Sequence, residues 1–261
     1  MTATAAQAAA PTLLDLYLKQ LCLPAMARAY PAVVREAAAN HHDYLQFLIT
    51  QCGYEIEHRQ RNQLARRLKQ AQFPWPKTLD EFDFSAIPSL NPATVMQLAS
   101  GAFVRERGNL LVLGGPGVGK THLLIGVGRA LCQAGFRVLF KPAALLVNEL
   151  LAVQAEHRLH RLLKQWRRFD LIIVDELGYL PFSTAGAQVL FQFFADRHEV
   201  ASVALSSNLE FGRWNEIFGD ERMTAALLDR LTHRGQCLVI DGESYRLKES
   251  LRRQAAVPPS A

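Results

Sequence analysis

The sequence has 261 residues, 49% of them hydrophobic, so it can bury the cores of one large and one small domain. Its formal net charge of +5 favours an anionic partner without identifying one. No uncharged apolar run approaches a membrane span, and the four widely spaced cysteines form neither a metal-binding nor a disulfide pattern. We therefore expect no membrane contact and a reducing, cytoplasmic location.

The N-terminal quarter of the chain is predicted to be helical. Residues 1–11 are rich in alanine and lack the basic start of a signal peptide, which predicts a disordered tail. Residues 12–72 are predicted to form a helical domain that binds DNA or a partner. Pro24 suits the first turn of its second helix, and Asp43 with Gln46 resembles a capping box for the third. The apolar side of its first helix is predicted to comprise Leu13, Leu14, Leu16, Tyr17, Leu21 and Leu23.

The later half of the predicted third helix is basic. Its basic residues are Arg59, Arg61, Arg66, Arg67 and Lys69. A basic run alone is more often a solvated helix face. In a basic chain that also carries a nucleotide-binding motif, contact with DNA phosphates is an equal alternative.

Residues 73–92 are predicted to be an extended linker, because prolines and aromatic residues alternate there. Such a segment would lie along a domain surface. Its aromatic side chains either pack against that surface or help to form the wall of an adenine pocket.

The second domain, predicted over residues 93–250, contains a P-loop motif. Residues 114–121 fit G-x-x-x-x-G-K-[ST] and stand between an apolar strand, 110–113, and a helical stretch, 122–132. Backbone N–H groups and a helix N-terminus there would bind phosphates, Lys120 would reach the β- and γ-phosphates, and Thr121 would ligate Mg²⁺. The alternative is a glycine-rich turn that binds nothing. The candidate ATP-binding residues here are Gly114, Gly115, Pro116, Gly117, Val118, Gly119, Lys120, Thr121 and His122.

After a second predicted strand at 137–140, residues 142–168 are predicted to form a helix. Basic residues recur along it at every third or fourth position, which indicates a basic stripe on an amphipathic helix. A solvated outer face is the alternative to DNA contact, and is somewhat favoured. The stripe comprises Arg158, Arg161, Lys164 and Arg168.

The third predicted strand, 171–174, ends in Asp175-Glu176, which is typical of a Walker B motif. Asp175 would help to hold Mg²⁺, largely through the waters of the ion, since magnesium dehydrates reluctantly. Glu176 would polarise the attacking water, and a carboxylate in this place implies hydrolysis as well as binding.

A fourth strand is predicted at 202–205 and a fifth at 237–240. The fourth is followed by Ser206, Ser207 and Asn208, and Asn208 either senses the γ-phosphate or is a turn residue. A helix predicted at 222–234 carries Arg222, Arg230 and Arg234. Residues 251–261 are predicted to be a disordered tail.

Five sequence blocks occur in a characteristic order. They are Gly-Gly-Pro-Gly-Val-Gly-Lys-Thr (114–121), Asp-Leu-Ile-Ile-Val-Asp-Glu-Leu-Gly-Tyr-Leu-Pro (170–181), Ser-Ser-Asn-Leu (206–209), Leu-Leu-Asp-Arg-Leu (227–231) and Gly-Glu-Ser-Tyr-Arg-Leu (242–247). Together they resemble the IstB family, the helper ATPases of insertion-sequence transposons. The resemblance covers nearly all of residues 12–250, and the related DnaC-like helicase loaders share most of the ATPase blocks.

This resemblance implies an α/β AAA+ fold of the initiator and loader clade. The expected core is a five-stranded parallel sheet in the order 5-1-4-3-2, with a small helical lid and the all-helical domain before it. The expected activity is ATP hydrolysis with Mg²⁺, stimulated by DNA. The expected partners are double-stranded DNA, further copies of the chain joined through ATP, and a transposase that is helped in target selection.

The resemblance also implies roles for single residues. Lys120 and Thr121 match Walker A, and Asp175 and Glu176 match Walker B. Asn208 matches sensor 1, Arg230 the arginine finger and Arg246 sensor 2, while Arg222 and Arg234 keep the finger assignment open. Gly115 and Val118 depart from the usual residues of the P-loop without removing a phosphate contact.

Three other functions remain open at this point. A helicase loader has the same chemistry with a different partner. A P-loop kinase acting on a small molecule is disfavoured by Glu176 and by the basic helical domain. A structural DNA-binding protein with ATP as a mere ligand would show no turnover.

Overall fold

The computed structural model describes residues 13–179 and 181–245. The predicted tails, 1–11 and 251–261, and the predicted sensor residue Arg246 lie outside the described residues. The chain divides into two compact units, Met1–Arg66 and Arg67–Ala261. The division falls within a helix, before the boundary that the sequence predicts after residue 72.

The N-terminal unit is built from helices. Their bounds are α1, residues 13–20; α2, Pro24–Ala39; and α3, Tyr44–Ala71, which continues into the second unit. Pro24 is the first residue of α2, as predicted. The N–H of Gln46 donates to Asp43 Oδ1 at 2.7 Å, which confirms Asp43 as the cap of α3.

The predicted apolar side of α1 is largely exposed. Leu21 is 66% exposed and Tyr17 52%, whereas Leu18, which is absent from the predicted apolar set, is buried. The physical reason is size, since a unit of a few helices covers only a narrow strip of each one. The described part of this unit therefore has a small core that includes Leu18, Ala25 and Val33.

A buried carboxylate, Glu55, joins the helices of the N-terminal unit. Its Oε2 accepts the N–H of Ala25 at 2.9 Å and of Met26 at 3.4 Å, so it caps the first turn of α2 from α3. Arg59 donates to Glu55 Oε1 at 3.0 Å and to the carbonyl of Cys22. Burial raises the pKa of Glu55, but the hydrogen bonds from Arg59, Ala25 and Met26 outweigh it, and the pKa lies below its ordinary value.

Glu55→Gln is expected to destabilise the N-terminal unit by about 1.5–3 kcal/mol at pH 7, the usual contribution of hydrogen bonds to a charged group. Because the folded pKa is lowered, this contribution is present above the unfolded pKa and is lost as pH falls through the folded value. Urea unfolding, monitored by amide exchange within α2 at pH 7 and at lower pH, measures both the loss of stability and its pH dependence. Glu57→Gln, an exposed neighbour on the same helix, is the control, and an equal loss there would contradict the assignment.

The second unit is organised around a five-stranded parallel sheet. Its strands are β1, Asn109–Gly114; β2, Val138–Pro142; β3, Leu171–Leu177; β4, Ser202–Ser207; and β5, Gly235–Ile240. They lie in the order β2-β3-β4-β1-β5, and all four pairings are parallel. This confirms the predicted order 5-1-4-3-2. The predicted small helical lid stays a prediction, since after β5 the structure describes only residues 241–245.

Helices cover both faces of this sheet. Their bounds are α4, Pro92–Ala99; α5, Ala102–Arg105; α6, Lys120–Gln133; α7, Ala143–Ala155; α8, Leu159–Trp166; α9, Thr184–Arg197; α10, Asn215–Phe218; and α11, Glu221–Thr232. Leu111 and Leu113 of β1 belong to a core cluster with residues of α7, α8, α9 and α11. Ile173 points to the other face, where it lies against Gly128 of α6. A sheet covered on both sides explains why the strands are continuous apolar runs.

The single helix predicted over residues 142–168 is wrong, because the structure has α7 and α8 with a break between them. His157 has a left-handed φ of 55°. The N–H of His157 donates to the carbonyl of Gln154, and the N–H of Arg158 to that of Val153, which is a Schellman motif. The break places Arg158 before α8 and Arg168 after it, so only Arg161 and Lys164 of the predicted stripe lie within a helix.

Among residues 13–179 and 181–245, no helix is long and apolar enough to cross a membrane.

Candidate nucleotide-binding site

The P-loop lies between β1 and α6, as the sequence predicts. Backbone geometry favours glycine at Gly117 and Gly119, which have left-handed φ of 80° and 98°. A Cβ on Gly117 would also collide with Ser244 Oγ. The loop therefore keeps its backbone close to residues 244–245, and the N–H of Tyr245 donates to the carbonyl of Gly117 at 3.1 Å.

Lys120 is buried at the start of α6 and turns back over the P-loop. Its Nζ donates to the carbonyl of Gly114 at 2.7 Å and to that of Gly115 at 2.6 Å. The ammonium is thus held inside the loop, next to the first turn of α6, where the helix dipole already favours an anion.

Asp175, the predicted Walker B aspartate, lies beside the P-loop. Asp175 is buried on β3, and its Oδ1 accepts a hydrogen bond from Thr121 Oγ1 at 3.1 Å. Ser206 of β4 donates to the same oxygen. Thr121 and Asp175, which the sequence pairs as magnesium ligands, are therefore brought together. Among the residues at the end of this strand, the sequence analysis singles out Asn208 and gives no contact for Ser206. A polar side chain within an otherwise apolar parallel strand is the sequence signal that could have identified Ser206.

Glu176 is placed differently from Asp175. It is exposed, and it has a left-handed φ of 60°. The pairing of β3 with β4 shifts register between Val174 and Leu177, which marks a β-bulge at this point. A bulge re-aims the side chain that it carries, and here it turns Glu176 to the wall of the same cavity that the P-loop lines.

That cavity has a volume of about 840 Å³, within the range of about 300–1,000 Å³ that small-molecule sites occupy. The P-loop residues 116–121 form one side, with Glu176, Ser206 and Asn208 next to them. Tyr245 also lines it, at the end of the described chain.

The predicted linker forms another wall of the cavity. Trp75, Phe82 and Ile87 line it. Phe82 and Ile87 are buried, and both pack against Gly119 on the side where another residue would carry its Cβ. His122 holds this segment, because its Nε2 lies 2.8 Å from the carbonyl oxygen of Thr78 and its ring stacks edge-on to Phe82. The predicted ATP-binding residue His122 therefore anchors the wall.

These residues fit a magnesium–nucleotide ligand. A buried ammonium at a helix N-terminus suits phosphates, and a hydroxyl beside a buried carboxylate suits a hard cation that prefers oxygen ligands. The apolar wall from Trp75, Phe82 and Ile87 suits a flat base.

The sequence matches the profile of a family described as IstB-like ATP binding protein over residues 16–253. The chain belongs to this family.

Relatives of this IstB-like chain come from insertion sequences. It is 41% identical over 244 residues to the putative ATP-binding protein of insertion sequence IS21 from Pseudomonas aeruginosa, covering 94% of this chain and 91% of the relative. The corresponding protein of IS5376 from Geobacillus stearothermophilus is 37% identical over 233 residues, 89% of this chain and 93% of the relative.

Solved structures show the fold. The crystal structure of DnaI has a TM-score of 0.52 at 19% identity, covering 63% of this chain and 91% of DnaI. AMPPCP-bound DnaA from Aquifex aeolicus has a TM-score of 0.55 at 16% identity, covering 73% of this chain and 58% of DnaA. The IstB-like chain therefore has the α/β AAA+ fold, as predicted.

The arginine-finger candidates of this IstB-like protein lie away from its own cavity. Arg230, near the end of α11, stacks over the ring of Phe191 with its Cζ 4.8 Å from the ring centroid. Its buried Nη1 has no hydrogen-bond partner among the described residues. Arg222 and Arg234 are exposed, one in the first turn of α11 and the other between α11 and β5.

The DNA-binding candidates on α3 differ in their surroundings. Arg61, Arg66 and Lys69 are exposed, and Arg67 is half-buried. Arg59 is committed to Glu55 and to the carbonyl of Cys22, which gives it a structural role that the sequence does not reveal.

The candidates around α8 are exposed as well. Arg158 pairs with Glu156 at 2.9 Å, and Arg168 lies over the ring of Phe169 at 4.9 Å. Arg161 and Lys164 extend from α8 itself.

Proposed function

We propose that this IstB-like protein hydrolyses ATP with Mg²⁺, assembles on double-stranded DNA through ATP-bridged subunits, and assists a transposase in target selection and transposition. The observation that carries the proposal is the placement of Glu176, which the β-bulge turns to the cavity lined by the P-loop. A site that only held ATP would need no carboxylate aimed at its phosphate end.

Each residue has a role in this proposal. The N–H groups of the P-loop and Lys120 hold the phosphates, and Thr121 with Asp175 holds Mg²⁺, which when bound neutralises phosphate charge. Glu176 accepts a proton from the attacking water, and Asn208 orients that water. Two arginines complete the set: Arg230 would act on the neighbouring subunit's nucleotide, and Arg246 matches sensor 2.

The partner assignment draws on the relatives. The similar proteins at 41% and 37% identity are described as ATP-binding proteins of insertion sequences, which supports a transposase as partner. The likeness to DnaI supports the fold alone. Co-purification decides between a transposase and a replicative helicase, which is the partner of a loader.

The test of the chemistry is phosphate release from ATP, with and without double-stranded DNA and with no small-molecule acceptor. We expect turnover that DNA stimulates and that Lys120→Ala abolishes. A kinase would release no phosphate without its acceptor, and a protein that uses ATP only as a ligand would show no turnover.

Arg61→Ala with Arg66→Ala is expected to weaken binding to unrelated DNA sequences about equally, because phosphate contacts carry no sequence information. Both side chains are exposed on α3 in the N-terminal unit. Each arginine that no longer reaches a phosphate should lower the log–log salt slope of the binding constant by about 0.9. Titrations of fluorescent duplexes at several salt concentrations measure this slope.

Gln60→Ala with Gln63→Ala is the matched control, since these side chains are equally exposed on the same helix but uncharged. It should leave the slope unchanged. If the arginine variant also leaves it unchanged while Arg161→Ala with Lys164→Ala lowers it, the DNA site includes α8 and the assignment to α3 is wrong.

A further inference from the structure

The hydroxyl of Ser206 connects the two Walker B residues. Ser206 is fully buried on β4, and its Oγ donates to Asp175 Oδ1. The Oγ of Ser206 also accepts the N–H of Glu176 at 2.9 Å. A serine hydroxyl has one proton to donate and lone pairs to accept, so this side chain uses both abilities on adjacent residues of β3.

The backbone that Ser206 contacts is irregular. β3 and β4 pair regularly from Leu171 with Ser202 to Val174 with Leu205, and resume where Leu177 pairs with Ser207. Three steps on β3 thus face two on β4, so one extra residue is accommodated at the bulge. Glu176 takes the left-handed conformation there, with φ of 60°.

This conformation needs support from its surroundings. A residue other than glycine in the left-handed region is strained, and the conformation persists only where its neighbours fix it. The hydrogen bond from the Glu176 N–H to Ser206 Oγ is one such constraint, and it is buried, where hydrogen bonds are strong and costly to leave unmade.

The carboxylate of Asp175 is fixed at the same time. Thr121 Oγ1, from α6, and Ser206 Oγ, from β4, both donate to its Oδ1. Two donors from different elements on one oxygen hold the carboxylate in a single orientation. Ser206 thereby links Asp175, the candidate metal ligand, to the backbone segment that orients the side chain of Glu176.

We propose that Ser206 is a positioning residue of the ATPase: it orients the Asp175 carboxylate and holds the bulge that directs Glu176 into the cavity. The inference rests on the proposed function. It specifies which residue fixes the relative positions of the Asp175 carboxylate and the Glu176 side chain. Ser206 acts through Asp175 and Glu176, and polar groups that orient a metal ligand in this way change activity by roughly 10–100-fold when removed.

Ser202 provides a matched control on the same strand. It is also fully buried, but its Oγ has no hydrogen-bond partner among the described residues. Ser202→Ala and Ser206→Ala therefore remove the same atom from the same strand, and only Ser206→Ala removes a connection to Walker B.

Ser206→Ala is expected to lower kcat for ATP roughly 10–100-fold. The half-saturating Mg²⁺ concentration should rise, and nucleotide binding without Mg²⁺ should persist. Independently of nucleotide, the Glu176 amide should exchange with solvent faster in Ser206→Ala than in the wild type, because its acceptor is gone. Ser202→Ala should match the wild type in all of these measurements.

Ser206→Thr and Ser206→Val are a second pair, nearly equal in shape and differing in the hydroxyl. Thr should retain rate and amide protection and Val should lose both, which decides the question even where Ser206→Ala does not fold. Equal kcat and Mg²⁺ dependence in Ser206→Ala and wild type, unchanged Glu176 exchange, or an equal loss in Ser202→Ala overturns the proposal. If the wild-type protein has no ATP turnover, the proposed function fails, while the exchange measurement still decides whether Ser206 holds the bulge.

Discussion

Glu176→Gln is expected to lower phosphate release by about 10²–10⁴-fold, the usual contribution of a general base, while ATP still binds. The amide that replaces the carboxylate has nearly the same shape but cannot accept a proton. Because Glu176 is exposed at the cavity wall and does not hold the fold together, the loss should appear in turnover and not in stability. Single-turnover phosphate release and equilibrium ATP binding measure the two effects separately.

Lys120→Ala is the complementary variant. The Lys120 ammonium is buried among P-loop carbonyls, where it is the cation expected to bind the phosphates. Its removal should therefore abolish productive ATP binding, and turnover with it. The two variants together separate binding from chemistry. Wild-type hydrolysis by Glu176→Gln would show that Glu176 is not the base.

Arg230→Ala is expected to lower hydrolysis by about 10³–10⁵-fold, the usual effect of losing an arginine finger, while each subunit still binds ATP. Arg230 does not line the cavity of its own chain; it is half-buried near the end of α11, with its guanidinium over the ring of Phe191. The family resemblance implies that this arginine acts on a neighbouring subunit's phosphate, so DNA-stimulated assembly should be lost as well. Phosphate release and size-exclusion chromatography on DNA measure these losses.

Mixing Arg230→Ala with Lys120→Ala tests whether the arginine acts between subunits. At some interfaces an intact P-loop from the first variant meets an intact Arg230 from the second, and activity should recover there. A mixture that co-assembles yet stays as inactive as its parents argues against Arg230. The same mixing experiment would then be repeated with Arg222→Ala and with Arg234→Ala, since both arginines are exposed.

The sheet could be predicted from the sequence because its signals are local. Each strand is a short apolar run, and the P-loop and Asp175-Glu176 stand where two of these runs end. The strand order came from the family resemblance, since the spacing of apolar runs does not specify which strands are neighbours. Asp43 was predictable as a cap because its side chain bonds a backbone group three residues away.

The missed features depend on contacts between distant residues or on unusual backbone. The sequence does not predict the end of α7, because His157 occupies the left-handed position of its Schellman motif, whereas the usual signal is glycine. The structural role of Arg59 is not predictable from the sequence, because nothing in its neighbourhood shows that Cys22 will accept its hydrogen bond. The contacts of Ser206 are not predictable from the sequence, because its two partners lie on another strand.

The place of β1 in the sheet has a consequence for how the protein is made. β1 carries the P-loop, but its two neighbours, β4 and β5, begin only at Ser202 and Gly235. At about 5–20 residues per second, a ribosome takes on the order of ten seconds to supply them after β1 emerges. During that interval the apolar residues 110–113 have no strand to pair with and are a target for chaperones.

A nascent chain that stops before β5 already contains Lys120, Asp175 and Glu176. It still lacks Ile240, against whose backbone Gly114 packs at the start of the P-loop. Nucleotide binding is therefore expected late in synthesis, after nearly all of the second unit has left the ribosome.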